Sequence, residues 1–152
     1  MLGEQSVTNV LGVVMRRSLL LTLVLVLVGC GGGPDAGQPL TAQDVVAAFE
    51  VAGLEAEDVR EMAAEDYGLV PMAEEGLYFL LPSVCEDCGG RAMLFESEEQ
   101  AERVMTYYEA VAESSPAFSS WAYRRGPLVV QLNGELSEEQ AKRYEEVLNS
   151  LP

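Results

Sequence analysis

Two cysteines three positions apart, Cys85 and Cys88, form the most compact motif in this sequence that could do chemistry. Such a pair can close a structural disulfide across a turn, exchange disulfides with a substrate, or supply two of the four ligands of a zinc ion. Glu86 and Asp87 place negative charge beside the sulfurs, which disfavours a reactive thiolate. We therefore expect a structural disulfide, with redox chemistry and zinc binding as the alternatives.

Paired glutamates and two aromatic residues are the other candidates. The glutamate pairs could bind Ca²⁺ or act as glycosidase carboxylates, but none has the spacing of a calcium loop. Trp121 and Tyr123 share one face of a predicted strand and could stack a sugar or a peptide if they were exposed. We expect these aromatic residues in the core and the acids at helix ends and on the surface, and we identify no catalytic residue, metal site or cofactor. The glutamate pairs are Glu74-Glu75, Glu98-Glu99 and Glu138-Glu139.

The composition excludes many familiar functions. The 152 residues include no histidine, so the chain has no Ser-His-Asp or Cys-His pair and no histidine ligand for a metal. Nine lysines and arginines stand against 25 aspartates and glutamates, which gives a formal net charge of -16. A nucleic-acid-binding protein needs a basic surface to meet phosphate, so this acidity argues against a nucleic-acid partner.

A basic pair and an apolar run lie near the start of the sequence. Arg16 and Arg17 precede a continuous, Leu- and Val-rich run over residues 18–28. A helix of this length rises only about 16 Å, roughly half of the ~30 Å hydrocarbon core of a bilayer. That length is typical of the apolar region of a signal peptide. Because residues 1–14 do not fit this scheme, we expect translation to start at Met15.

The apolar run ends at residues 27–30, Leu-Val-Gly-Cys, which resemble the lipobox of bacterial lipoproteins. The resemblance covers residues 15–30. It implies that signal peptidase II cuts immediately before Cys30 and that Cys30 carries a diacylglyceryl thioether. It also implies a lipid bilayer as partner and an extracytoplasmic domain on the cell membrane or the outer membrane. Cys85 and Cys88 then remain as an even pair, which an oxidising compartment would join.

The chain is predicted to have three parts. Residues 1–29 form the signal peptide, residues 30–40 the lipidated cysteine and a flexible Gly/Pro-rich tether, and residues 41–152 one acidic domain. Nine flexible residues span about 15–18 Å on average, so the tether holds the domain just clear of the headgroups. The mature chain keeps 7 basic and 24 acidic residues, a net charge of -17, so anionic lipid repels the domain.

Capping residues and apolar spacing predict three helices in the domain. Thr41 caps a helix over residues 42–52 that ends before Gly53. Ser97 and Ser137 cap two more, each with a glutamine three positions later.

The strands are predicted from short apolar runs bounded by turn residues. Residues 54–75 have the weakest pattern, where we favour a helix over 56–67 against an irregular edge strand over 55–62. The predicted strands cover residues 77–81, 91–95, 119–125 and 128–132.

The order α-ββα-ββα predicts a small single α+β domain with a four-stranded antiparallel sheet and about three helices. The starts of the last two helices, Ser97–Arg103 and Ser137–Arg143, agree at six of seven positions. This agreement indicates either an internal duplication or two independent good helix starts.

The predicted strands 77–81 and 128–132 are apolar on both faces, which indicates that the second face of the sheet is covered. This second face would be covered by helix 42–52, by the 54–75 segment, by a second copy of the chain, by an envelope protein or by an apolar ligand. The sequence therefore predicts a membrane-anchored, non-catalytic binding module of the cell envelope. A thiol–disulfide redox accessory protein that uses Cys85 and Cys88 is the alternative.

Overall fold

The computed structural model of the protein describes residues 39–115 and 118–152. The predicted signal peptide, Cys30 and the tether as far as Gln38 lie outside these residues. No helix in the described ranges is long and apolar enough to cross a membrane. The elements are, in order, α1 (Ala42–Val51), β1 (Glu57–Glu61), a 3₁₀ turn (Ala64–Tyr67), β2 (Glu75–Leu80), β3 (Gly89–Leu94), α2 (Glu98–Ser114), β4 (Ser120–Arg125), β5 (Leu128–Asn133) and α3 (Glu138–Ser150).

The strands form one antiparallel sheet in the order β1-β2-β3-β5-β4. The α+β class, the antiparallel sheet and the three helices are confirmed, whereas the prediction of four strands is wrong because the sheet has five. The four predicted strands lie within two residues of their expected bounds. The additional strand is β1, which occupies the edge of the sheet beside β2.

The favoured helix over residues 56–67 is wrong, and the alternative, an irregular edge strand over residues 55–62, is confirmed by β1. Its sequence, Glu-Asp-Val-Arg-Glu, has little apolar alternation, and its conformation comes from pairing with β2, in which Arg60 lies opposite Tyr78. A bulge with a φ of 48° at Asp58 interrupts the pairing. The hydroxyl of Tyr144 in α3 donates a 2.8 Å hydrogen bond to the carbonyl of Glu55, which holds the approach to β1. These contacts are distant in sequence, so no local pattern indicates them.

Helix α1 begins and ends with the signals that the sequence predicts. Thr41 and Asp44 form a capping box at its start. At its end Gly53 has a φ of 69°, and the N–H of Leu54 donates to the carbonyl of Phe49 at 2.9 Å. This is the Schellman pattern, and glycine stands there because it adopts the left-handed conformation without steric cost.

Helices α1 and α3 cover one face of the sheet, which we call the first face. Phe79 of β2, Phe49 of α1 and Tyr144 of α3 meet there. The ring centroids of Phe49 and Phe79 lie 6.1 Å apart, and those of Phe49 and Tyr144 lie 4.9 Å apart. These rings join both helices to the centre of the sheet. The core on this face also contains Leu77, Leu81, Ala92, Val130, Leu132 and Leu148.

Helix α2 packs on the opposite, second face of the sheet. Val104 and Tyr108 of α2 form a second core with Met93 and Val129 of the central strands, and the segment after β1 adds Tyr67 and Val70. Helix α2 lies over β4 and β5. On this second face the side chains of β1 and β2 stay half-buried or exposed. The described residues therefore cover only part of this face.

The two strand–strand–helix units place their helices on opposite faces of the sheet. Helix α2 follows β3 onto the second face, whereas α3 follows β5 onto the first. Because β3 and β5 are antiparallel neighbours, a two-fold axis normal to the sheet would put both helices on one face. The shared helix-start sequence therefore does not correspond to a two-fold repeat in the fold.

Candidate functional site

The connection between β2 and β3 carries the cysteine pair. Cys85 and Cys88 form a disulfide, with their Cα atoms 5.0 Å apart. The N–H of Cys88 donates to the carbonyl of Cys85 at 3.3 Å, and the N–H of Leu81 donates to the carbonyl of Cys88 at 2.8 Å. Strand β3 begins directly afterwards, at Gly89, so no helix in the described chain starts at these sulfurs to stabilise a thiolate. The disulfide closes the turn between β2 and β3.

We expect reduction of this disulfide to lower the stability of the domain only modestly. Closing a loop of four residues contributes about 2 kcal/mol at most through loop-closure entropy. Thermal unfolding with and without a reductant measures the loss, and the double variant Cys85→Ser/Cys88→Ser should match the reduced protein. Complete unfolding on reduction at 25 °C would contradict this estimate.

Trp121 and Tyr123 belong to the first core rather than to an exposed stacking surface. Both side chains are partly buried and pack against that core. The indole Nε1–H of Trp121 donates a 2.9 Å hydrogen bond to the carbonyl of Leu136 just before α3. Their arrangement therefore leaves no aromatic platform on β4 for a sugar or a peptide.

Two of the three glutamate pairs lie at helix starts, and the third lies at the start of β2. The pairs that begin α2 and α3 are exposed in the first turns of those helices. Glu75 instead accepts hydrogen bonds from the backbone N–H groups of Ala42, at 2.9 Å, and Gln43, at 3.1 Å. It thereby ties the N-terminus of α1 to the start of β2. Within residues 39–115 and 118–152, no three side chains of metal-binding type come together.

Four side chains form a row across the second face of the sheet. Cross-strand pairing places Arg60 of β1 opposite Tyr78 of β2, Tyr78 opposite Arg91 of β3, and Arg91 opposite Gln131 of β5. Neighbouring strands lie about 4.8 Å apart, so the row spans about 14 Å. We call these four residues the arginine row. It runs from the edge strand to the side of α2, where Tyr108 lies. Burial raises the pKa of Tyr108, and the positive charge of Arg91 opposes that rise.

Arg91 is oriented within the row by hydrogen bonds rather than by a direct ion pair. Its Nη1 donates to Oε1 of Gln131 at 2.7 Å, and Nε2 of Gln131 donates to the carbonyl of Leu132 at 2.9 Å. The buried Nε of Arg91 has no hydrogen-bond partner within the described residues. No carboxylate there lies within ion-pair distance of Arg91, whereas Arg60 and Arg124, which also face this side, have one and two such partners respectively. Arg91 therefore makes no direct ion pair in this part of the chain, although its positive charge lowers the pKa of the nearby Asp66.

The edge end of the row joins an arginine, an aromatic ring and the disulfide loop. The guanidinium carbon of Arg60 lies 4.5 Å from the ring centroid of Tyr78, in cation–π geometry. Arg60 also donates to both carboxylate oxygens of Asp66, at 2.6 and 2.9 Å. The hydroxyl of Tyr78 donates to the carbonyl of Asp87 at 3.2 Å. The row and the loop of the disulfide therefore form one continuous surface.

Asp66 is expected to stabilise the domain in a pH-dependent way. Hydrogen bonding from Arg60, with the N–H of Ala63, lowers the pKa of Asp66 from its usual 3.8 to about 2. A lowered folded-state pKa adds stability that is present above pH 3.8 and is lost as the pH falls towards 2. The difference in Tm between the wild type and Asp66→Asn should therefore be largest near neutral pH and should close by about pH 2. Glu65→Gln, at the exposed neighbouring carboxylate, is the control, and a pH-independent difference for Asp66→Asn would contradict the ion-pair explanation.

Local sequence patterns do not predict the arginine row as a site. One signal was present: Gln131 interrupts the otherwise apolar strand Leu-Val-Val-Gln-Leu and is itself buried. A polar residue inside such a strand needs a partner, and the structure supplies Arg91. The strand register aligns these residues with Tyr78 and Arg60. That register depends on pairing between strands far apart in the chain, so local sequence patterns do not predict it.

The groups on this surface can form charge-assisted and apolar contacts. The arginine row offers a guanidinium for a carboxylate and an aromatic face for an apolar group, and its residues do not include an aligned nucleophile and base. Comparison with protein-family models, with curated proteins and with solved structures gives no match to this chain.

Proposed function

We propose that this protein is a membrane-anchored extracytoplasmic lipoprotein and that its domain is a non-catalytic binding module of the cell envelope. The order of the basic pair, the short apolar run and Cys30 in the lipobox carries the proposal. The disulfide between Cys85 and Cys88 supports it, because such bonds persist in oxidising compartments outside the cytoplasm.

The arginine row is the binding surface in this proposal. Helices cover the first face and α2 covers part of the second, whereas Arg60, Tyr78 and Arg91 of the row are half-buried or exposed. Arg91 supplies a positive charge in a mature chain whose net charge is -17. Tyr78 and the neighbouring Leu80 are half-buried on the same face and offer apolar area beside that charge.

The partner in this proposal is an envelope protein that presents a carboxylate to Arg91 and an apolar side chain to Tyr78. A carboxylate is the chemical complement of a preoriented guanidinium. An aromatic and an arginine side by side are the residue types that contribute most to protein–protein binding. The negative charge of the rest of the domain disfavours acidic partners that do not meet Arg91 directly, so recognition is confined to the row.

The anchor is tested by the intact mass of the protein extracted from membranes of its natural host. We expect a chain that begins at Cys30 and carries acyl groups, with Cys85 and Cys88 open to alkylation only after reduction. The variant Cys30→Ser should leave the membrane fraction. A mass that begins at Met1 or Met15 would refute lipidation.

The binding surface is tested by photo-crosslinking in intact cells. The photoreactive residue p-benzoylphenylalanine is placed at Tyr78, which preserves an aromatic ring, and at Val51 as a control, because Val51 is 90% exposed and lies at the end of α1. We expect one protein adduct from position 78, loss of that adduct with Arg91→Gln, and no adduct from position 51. Thermal unfolding verifies that Arg91→Gln is folded. Equal adducts from both positions, or an adduct that Arg91→Gln leaves unchanged, would refute the arginine row as the binding surface.

A further inference from the structure

A second exposed feature is an apolar loop between the 3₁₀ turn and β2. Residues 68–73, Gly-Leu-Val-Pro-Met-Ala, contain no charge, and we call them the apolar loop. Leu69 is 85% exposed and Met72 is 66% exposed. Moving large exposed apolar side chains from water into an apolar phase lowers the free energy. Such side chains therefore mark a surface that can contact an apolar partner.

The apolar loop is held in a fixed position by its own buried residues. Val70, between the two exposed side chains, is 7% exposed and packs in the second core beside Tyr67. The N–H of Val70 donates to the carbonyl of Tyr67 at 3.1 Å, and the N–H of Glu74 donates to the carbonyl of Leu94 at 2.8 Å. Burial of Val70 therefore fixes the loop in a position where Leu69 and Met72 face solvent.

The apolar loop lies beside the point where the tether joins the domain. Glu75, just after the loop, accepts hydrogen bonds from Ala42 and Gln43 at the start of α1. Gln43 and Met72 line the same groove. Thr41 precedes α1 directly, so the tether reaches the domain at the end that carries the loop.

We propose that the apolar loop rests on the bilayer that holds the acyl chains of Cys30. This inference rests on the proposed lipid anchor. The occupant follows from the length of the chain between Cys30 and the domain, because a tether of nine residues, as the sequence predicts it, spans only about 15–18 Å on average. A segment of that length leaves the loop within reach of the headgroups. Insertion of Leu69 and Met72 would then fix the orientation of the arginine row and the disulfide loop relative to the bilayer.

The opposite end of α1 provides a matched control. Val51 is also a large apolar side chain and is 90% exposed. It lies nine residues along α1 from Ala42, a distance of about 14 Å along the helix axis. A label at Val51 should remain in water when the apolar loop is on the bilayer.

The test uses the protein extracted from membranes of its natural host and reconstituted with phosphatidylcholine vesicles. Leu69→Cys, Met72→Cys and Val51→Cys are each labelled with a polarity-sensitive fluorophore, which reacts only with the new thiol because Cys30 is acylated and the other pair is oxidised. We expect labels at 69 and 72 to shift to the blue and to be quenched by a quencher carried in the lipid, and the label at 51 to keep its aqueous spectrum.

Vesicle flotation separates this inference from the proposed anchor. If the protein floats with the vesicles but labels at 69 and 72 keep the aqueous spectrum of the label at 51, the anchor stands and the loop contact is refuted. If the protein does not float, the lipid anchor itself is refuted, and the loop contact falls with it. A blue shift at all three positions would also overturn the proposed orientation.

Discussion

Replacing Phe79 by alanine should lower the free energy of unfolding by about 3–5 kcal/mol. Phe79 is completely buried at the centre of the first face, and its ring contacts that of Phe49, which in turn contacts Tyr144. The variant therefore loses the burial of the ring and leaves a cavity that β2, α1 and α3 share. Domains of this size have only about 5–15 kcal/mol of stability, so the change brings the protein close to unfolding.

Denaturant unfolding of Phe79→Ala measures the effect, with Phe118→Ala as the matched control. Phe118 is 74% exposed, so the same chemical change there should shift the free energy of unfolding by less than about 0.5 kcal/mol. Equal losses for the two variants would mean that Phe79 does not hold the first core together.

Replacing Gly90 by alanine should lower the free energy of unfolding by about 1–3 kcal/mol, although alanine is usually the better residue inside a strand. A Cβ atom at Gly90 would lie 2.5 Å from Cζ of Phe79 and 2.9 Å from Cδ2 of Leu132. Phe79 lies directly opposite Gly90 in the β2–β3 pairing and its ring occupies the space that a side chain would need. The ring would have to move out of the first core.

A double-mutant cycle identifies the cause of this loss. Because Phe79→Ala removes the ring that blocks position 90, Gly90→Ala should cost less in that background than in the wild type. The loss of unfolding free energy in the double variant should be about 0.5–3 kcal/mol smaller than the sum of the two single losses. Denaturant unfolding of all four proteins measures this difference. Additive losses would show that the backbone, and not the aromatic ring, excludes a side chain at position 90.

This packing matters for the proposed binding surface. Gly90 immediately precedes Arg91 on β3, and the two residues point to opposite faces of the sheet. The register that puts the ring of Phe79 over Gly90 also puts Tyr78 opposite Arg91. A displaced β2–β3 pairing would therefore disturb the first core and the arginine row together, and binding assays on variants of the row need an accompanying measure of stability.

The sequence by itself determined the elements whose signals are local. Thr41, Ser97 and Ser137 each cap a helix as predicted, because a capping side chain bonds to a backbone N–H only three residues away. The end of α1 follows from Gly53 for the same reason. Four strands follow from apolar runs between turn residues. The lipobox at residues 27–30 is likewise a local pattern, and the anchor it implies stays a prediction.

Only the tertiary structure decided the features that depend on distant partners. The charged segment 57–61 becomes a strand because β2 pairs with it, whereas its own composition leaves an edge strand only as the alternative to a helix. Helices α2 and α3 pack on opposite faces of the sheet, although their first residues are nearly identical. The face on which each helix packs therefore depends on tertiary contacts and not on the sequence of the helix start. The arginine row exists because four strands align Arg60, Tyr78, Arg91 and Gln131, and strand register is set by pairing and core packing between segments far apart in the chain.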